Sequence, residues 1–486
     1  MSPLLASVVI LLYFAAMLVI GRMSARRSRG DFYTGGRNTP APVLAVAMIG
    51  AAISGVTFVS VPGMVAAKGF SYLQMALGFV VGYVLIARVL IPLFFRHGVV
   101  SIYAYLDRRY GHTAYQSGAW LFFISKLTGA GVRFLVVCVA LQGLVFGPPG
   151  LPFEVAVAVS VALIWLYTRA GGVGAVVWTD VLRTLCLVGS VFLAIFFIAR
   201  SLGMNAADTV SAIAAHPSSR IFHFDDPTSG LFFWKQFIAG VFMTVAMTGL
   251  DQDMMQRTLT CADARSAGRS MVRGGIMQLF VIGLFLLLGT MLTIYVGRTP
   301  SMAMPERTDE LFSMVATSPA MPAVVGIVFL LGLVSAAYSA AGSALTSLTT
   351  SFTIDILGRD PEGSEKSRSR VHAAMGILIG LFIIVFYRLT SQDAISAVYT
   401  LASYTYGPLL GLFAFGMFCR RRVLPAAVPV VCLAAPVASG IAQWWLAGIG
   451  WQLGFELLLL NALLTTVGLA AASRSAKSQI APELQN

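Results

Sequence analysis

Five serines recur at every fourth position in the run Leu333-Val-Ser-Ala-Ala-Tyr-Ser-Ala-Ala-Gly-Ser-Ala-Leu-Thr-Ser-Leu-Thr-Thr-Ser-Phe-Thr-Ile-Asp355. On a helix, Ser335, Ser339, Ser343, Ser347 and Ser351 make one hydroxyl stripe that drifts slowly around the axis. Hydroxyls and main-chain carbonyls are hard, neutral oxygens, and several of them can hold a small cation without burying net charge. A second segment, Gly50-Ala-Ala-Ile-Ser-Gly-Val-Thr-Phe-Val-Ser-Val-Pro-Gly63, crowds Gly, Ser, Thr and Pro into an otherwise apolar stretch. A helix interrupted there, at Gly50, Ser54, Gly55 and Thr57, exposes carbonyls to an ion or a solute. Close packing of membrane helices through small residues has the same composition.

Ionisable residues inside apolar stretches are the other chemical signal. Asp180 lies a few residues inside one such stretch, where a carboxylate is expensive. It is either a functional group or the partner of Arg183. Lys126 and Arg133 interrupt the run from Leu121 to Leu144. An arginine facing a cavity clamps a carboxylate through paired hydrogen bonds, whereas Lys126 can equally snorkel or pair with an acid. Phe58, Tyr103, Trp178, Trp234, Tyr399 and Tyr406 can stack on a ring-shaped solute, although most aromatics in such a chain pack or anchor at the interface.

The elements that must position these groups follow from composition. Of 486 residues, 58% are hydrophobic and 11% charged, far from the balance of a soluble domain. Roughly thirteen stretches approach the ~20 residues needed to cross a bilayer. They lie near 4-21, 41-67, 71-95, 114-146, 153-168, 174-200, 229-250, 274-297, 321-352, 371-389, 393-418, 424-444 and 452-472. The first has no basic n-region and is followed by Arg22, Arg26, Arg27 and Arg29, so it reads as an uncleaved span starting outside. Alternating from there places about 22 basic residues in cytoplasmic connections against about six outside. The C-terminus is then cytoplasmic, and the formal charge of +13 reflects loops facing anionic headgroups rather than nucleic acid. Cys138, Cys186, Cys261, Cys419 and Cys432 show neither disulfide nor zinc spacing. No phosphate-binding Gly-x-x-x-x-Gly-Lys-Ser/Thr loop occurs, and connections of at most about 30 residues leave no room for a soluble catalytic or sensory domain. An intramembrane transferase needs an acidic metal cluster, for which Asp251 and Asp253 are the candidate, and these already fit a family signature named below.

Three segments carry a resemblance. Tyr167-Thr-Arg-Ala-Gly-Gly-Val-Gly-Ala-Val-Val-Trp-Thr-Asp180, Gly249-Leu-Asp-Gln-Asp-Met-Met-Gln-Arg-Thr-Leu-Thr260 and Ser403-Tyr-Thr-Tyr-Gly-Pro-Leu-Leu-Gly-Leu-Phe413 resemble signatures of the sodium:solute symporter family. The resemblance implies an all-α integral membrane protein of about 13 helices with a leucine-transporter-like core of two inverted five-helix repeats. The divisions are then an extra N-terminal helix and loop (1-40), the first repeat (41-228), the second repeat (229-418) and a C-terminal pair with its tail (419-486). The second and seventh stretches are five apart, and the seventh carries Gly240, Thr244 and Gly249, so both are the expected broken helices.

The family pattern Ala-x-Met-Ser-Ser-x-Asp-Ser-x-Leu places a sodium ion against the serine-rich helix. Carried over, Ala336 and Ser339 match, Gly50 and Ile53 become carbonyl donors, and Ser343 and Leu345 fit. The second hydroxyl falls on Ala340 and the acidic or hydroxylic position on Gly342, both bare. Loss of one neutral ligand costs about 1 to 3 kcal/mol unless something replaces it. Asp180, whose family counterpart supports sodium, is a candidate replacement. For solute, matching locations are Ser54, Thr57, Tyr72, Gln74, Thr128, Arg133, Gln236 and Tyr404, with Lys126 nearby. The function implied is sodium-coupled symport of a sugar, sialic acid, amino acid or carboxylate across a bacterial cytoplasmic membrane, without covalent chemistry. The alternative is the same fold coupled to protons through Asp180, or coupled to no ion, because Ala340 and Gly342 remove expected groups.

Overall fold

A computed structural model describes residues 3–27, 32–37, 39–97, 101–147, 149–227, 229–305, 308–359, 365–389, 394–419, 421–449, 453 and 456–474. In chain order its helices are α1 (Pro3–Arg27), α2 (Ala41–Ala52), α3 (Gly55–Lys68), α4 (Tyr72–Leu85), α5 (Ile91–His97), α6 (Ala104–Tyr110), α7 (His112–Leu141), α8 (Phe153–Ser201) and α9 (Ala206–Ala215). They continue with α10 (Phe233–Thr244), α11 (Gln252–Thr258), α12 (Ala264–Arg298), α13 (Leu311–Thr317), α14 (Ala323–Thr350), α15 (Glu365–Leu389), α16 (Ala394–Phe418), α17 (Ala427–Gly448) and α18 (Glu456–Ala471). A two-residue antiparallel pairing of Arg422–Val423 with Ser473–Arg474 ties the ends of α17 and α18.

Helices stand at the places of the expected apolar stretches. Among the described residues seven are long and apolar enough to cross a bilayer, or nine when each bent pair is one span. The fifth and sixth stretches are not separated by a loop. They abut within α8 at Gly172 (φ 49°, ψ −137°), where a Cβ would come 2.2 Å from the Phe32 carbonyl oxygen. Only glycine takes that left-handed turn at so close an approach.

Contact between helices relies on small residues as much as on apolar bulk. A Cβ on Gly78 of α4 would lie 2.2 Å from the Phe237 carbonyl oxygen, and one on Gly240 of α10 would lie 2.2 Å from that of Met75. The two backbones therefore touch. In α2 a Cβ on Gly50 would meet the Thr184 hydroxyl of α8 at 2.7 Å, and that hydroxyl donates to the Val46 carbonyl at 3.0 Å. α14 packs on α8, α7 and α3, with Ala336, Ala341, Ala344 and Leu345 buried.

Both expected breaks are present. α2 and α3 bend by 60°, and α10, prolonged by a π turn at Val245–Gly249, bends by 72° into α11. Each break is a helix end inside the protein, where the orphaned polar groups need partners.

Candidate functional site

The first break is organised by a capping box. The Ser54 hydroxyl accepts from the Thr57 amide at 3.3 Å, and the Thr57 hydroxyl accepts from the Ser54 amide at 3.4 Å. In an uninterrupted helix those two amides would donate to the carbonyls of Ile53 and Gly50, four residues earlier. The box diverts the Thr57 amide. The Ile53 carbonyl thus loses its helical donor at a point where the family pattern calls on it. Ile53 is extended (φ −98°, ψ 114°) and fully buried. On α14, Ala336 is buried in one apolar cluster with Ile49 and Ile53, and Ser343, two turns on, donates to Asp253 of α11 at 2.9 Å. The side chains of Ser339 and Ala340 lie outside the described residues.

Beside the break lies a cavity of about 150 Å³. Four of the expected solute positions line it, Ser54, Thr57, Tyr72 and Arg133. So do Lys126, Asp251, Asp253 and Tyr406, which join α7, the second break and α16 around one floor. The second break is charged where the first is neutral. Asp251 caps α11, its Oδ1 accepting from the amides of Asp253 at 2.8 Å and Met254 at 3.3 Å. The Lys126 ammonium sits 3.2 Å from Asp251 and 2.5 Å from Asp253. The Tyr406 hydroxyl donates to Asp251 as well.

The charges continue away from the cavity. Arg257 lies 3.7 Å from Asp253 and 3.2 Å from Asp180, and Arg183 holds the other Asp180 oxygen at 2.5 Å. Arg183 also donates to the Tyr167 hydroxyl, which in turn donates to the Tyr338 carbonyl at 3.2 Å. Asp180 is fully buried between two guanidiniums. Its pairing with Arg183 is the bland reading of the sequence, now extended by Arg257. Asp180 is thus engaged by both Arg183 and Arg257. Gly342 is bare for a reason: a Cβ there would come 1.7 Å from the Tyr167 hydroxyl and 3.5 Å from Arg183.

Four expected solute contacts lie elsewhere. Gln74 is fully buried, but its amide donates to the Leu231 carbonyl at 3.0 Å and its oxygen accepts from the His223 amide at 3.0 Å. It clasps the loop before α10. Gln236 donates to the Gly230 carbonyl at 2.6 Å in the same region. Thr128 turns back on its own helix, donating to the Ile124 carbonyl at 2.6 Å, and Tyr404 donates to Gln443 of α17 at 2.8 Å. Location along a helix did not fix which face each residue occupies. Of the six aromatics singled out in the sequence, Tyr406 lines the cavity; Phe58 is packed among Phe285, Phe312 and Phe329, Tyr103 donates to the Leu250 carbonyl at 3.0 Å, Trp178 borders a separate apolar groove, and Trp234 is exposed. The Tyr399 side chain lies outside the described residues. A lining pair that sequence reasoning passed over is Tyr83 with Gln278, joined at 2.6 Å. Gln278 was findable as the lone amide in an apolar run.

An all-α membrane fold with two broken helices around a buried polar cavity defines a leucine-transporter-like secondary transporter. The sodium:solute symporter family model matches residues 32–428, so the chain belongs to that family, whose members are transporters rather than enzymes and whose coupling ion is sodium. The human sodium/iodide cotransporter is 24% identical over 440 residues, covering 87% of this chain and 65% of that protein, just under two thirds of its length. Mouse sodium-coupled monocarboxylate transporter 1 is 27% identical over 468 residues, covering 90% and 73%. A solved structure of a substrate-bound, outward-open Na+-coupled sialic acid symporter superposes with a TM-score of 0.82 at 20% identity, covering 96% of this chain and 98% of that one.

Proposed function

We propose that the protein couples the inward sodium gradient to uptake of a small organic anion by alternating access. Sodium sits between the first break and α14, held by the carbonyls of Gly50, Ile53 and Ala336 and the hydroxyl of Ser339. Ser343 and Ala340 flank that site, and Asp180 serves as the partner of two arginines rather than as a ligand. The observation that carries this reading is the capping box, which withdraws the Thr57 amide from the Ile53 carbonyl at the break. The solute occupies the adjacent cavity against Ser54, Thr57, Tyr72 and Arg133. Among the described residues Arg133 has no ion-pair partner, so it is the cavity's uncompensated charge, and its planar fork suits a carboxylate. The iodide, monocarboxylate and sialic acid named for the similar proteins are all anions, which supports the same sign.

The division into two repeats at 41-228 and 229-418 belongs to this reading, supported by breaks at corresponding places in each. So does the placement in a bacterial cytoplasmic membrane with the N-terminus outside, which rests on the asymmetry of basic residues. The proton-coupled or ion-independent alternative is not carried forward, because the chain belongs to a family coupled to sodium.

Thermal unfolding of the purified protein tests the ion. A ligand that binds only the folded state stabilises it by RT ln(1 + [L]/Kd), about 2.7 kcal/mol at a hundredfold excess over Kd. Sodium should raise the transition where potassium and choline do not. A sodium effect no larger than theirs removes the ion from the proposal. Sodium-driven uptake of a carboxylate into proteoliposomes should then be lost in Arg133→Ala with the sodium shift intact.

A further inference from the structure

Resting on the assignment of the solute to this cavity, we infer that Lys126 is a specificity-determining residue that shuts the site to solutes carrying an ammonium group. Two carboxylates line the cavity, Asp251 and Asp253, and either alone would make an attractive seat for the amino group of an amino acid. Neither is available. The Lys126 ammonium lies within 3.2 Å of Asp251 and 2.5 Å of Asp253, already filling the place an incoming ammonium would take. Most of the remaining acceptor capacity is also used. Asp251 takes hydrogen bonds from the amides of Asp253 and Met254 and from the Tyr406 hydroxyl. Asp253 takes one from Ser343 and faces Arg257.

In the connected network three cations (Lys126, Arg183, Arg257) balance three carboxylates (Asp180, Asp251, Asp253). What is left to recruit a solute is Arg133. A zwitterion entering here must strip its ammonium of water and find no free anion, which is costly in a buried site. An anion without an amino group meets no such penalty. The cavity volume of about 150 Å³ matches cavities that hold a molecule of roughly benzene size. The class selected is therefore a small carboxylate without an amino group.

The test compares two probes of one carbon skeleton, butyrate and 2-aminobutyrate, by calorimetric titration of the full-length protein in saturating sodium. Wild type should bind butyrate at least tenfold more tightly. Lys126→Met, which keeps the length of the side chain and vacates the carboxylates, should shrink or invert that preference by tenfold or more, while Lys126→Arg should retain it. A wild-type protein that binds both probes equally overturns the inference without any variant. A preference unchanged in a Lys126→Met protein that still shows the sodium shift overturns it too. If wild type responds to sodium but binds neither probe, the solute assignment itself fails, and this inference with it.

Discussion

The two broken helices solve the same problem with opposite chemistry. At the α2/α3 break the cap is a neutral hydroxyl pair, Ser54 with Thr57, and the neighbouring groups are carbonyls and hydroxyls. At the α10/α11 break the cap is a carboxylate, Asp251, and its charge is met on the spot by Lys126. A mobile cation gains most where oxygens are present and no tethered cation has reached them first. The neutral break is thus the place for an exchangeable ion, and the charged break is a permanent internal salt, contributing geometry and selectivity rather than ion binding.

The strongest way to break this contrast is to remove the charged cap. Asp251→Ala deletes one carboxylate from a buried network and uncaps α11. Losing one member of a buried ion pair costs about 3 to 5 kcal/mol. We expect a drop of that size in unfolding free energy, with the sodium-specific shift persisting because no proposed sodium ligand is lost. If the sodium shift vanishes while the fold survives, the ion belongs to the charged break and the contrast is reversed.

The breaks were legible because their local signals are strong and short: Ser54-Gly-Val-Thr57 can cap, and Gly249-Leu-Asp251 ends one helix and caps the next. The serine stripe and the lone charges were equally visible. What could not be read was pairing across distance. Lys126 finds Asp251 125 residues away, and Asp180 finds Arg257 on another helix, contacts set by how helices cross rather than by any local pattern. The same gap explains Gln74, Gln236, Thr128 and Tyr404, which sit on helices near the site but turn their polar atoms to other partners. Gly342 illustrates the point most sharply. Read along the chain it is a missing ligand; in the fold it is the clearance that admits the Tyr167 hydroxyl and Arg183.

Gly342 sharpens the contrast at intermediate cost. Gly342→Ser restores the hydroxylic residue of the family pattern, so a reading from sequence alone expects tighter sodium binding. The fold predicts the reverse, because the new Cβ would stand 1.7 Å from the Tyr167 hydroxyl. Overpacking of this kind costs about 1 to 3 kcal/mol. Chemical denaturation should show that loss, with sodium affinity unchanged or weaker. A variant that is as stable as wild type and binds sodium more tightly would mean that Tyr167 yields and that the hydroxyl, not the space, was what the site lacked.

The smallest expected effect separates capping from ion binding at the neutral break. Ser54→Ala removes the acceptor for the Thr57 amide, and loss of an N-cap side chain costs about 1 kcal/mol. If the capping box also keeps the Ile53 carbonyl out of the helical ladder, the freed Thr57 amide returns to that carbonyl and competes with sodium for it. The variant should therefore lose more of its sodium-specific shift than a 1 kcal/mol loss of stability alone explains. Ser54→Thr, which retains the hydroxyl, should recover both. Equal sodium shifts in wild type and Ser54→Ala would leave the cap as a fold element only, and the Ile53 carbonyl would need another device to hold it open.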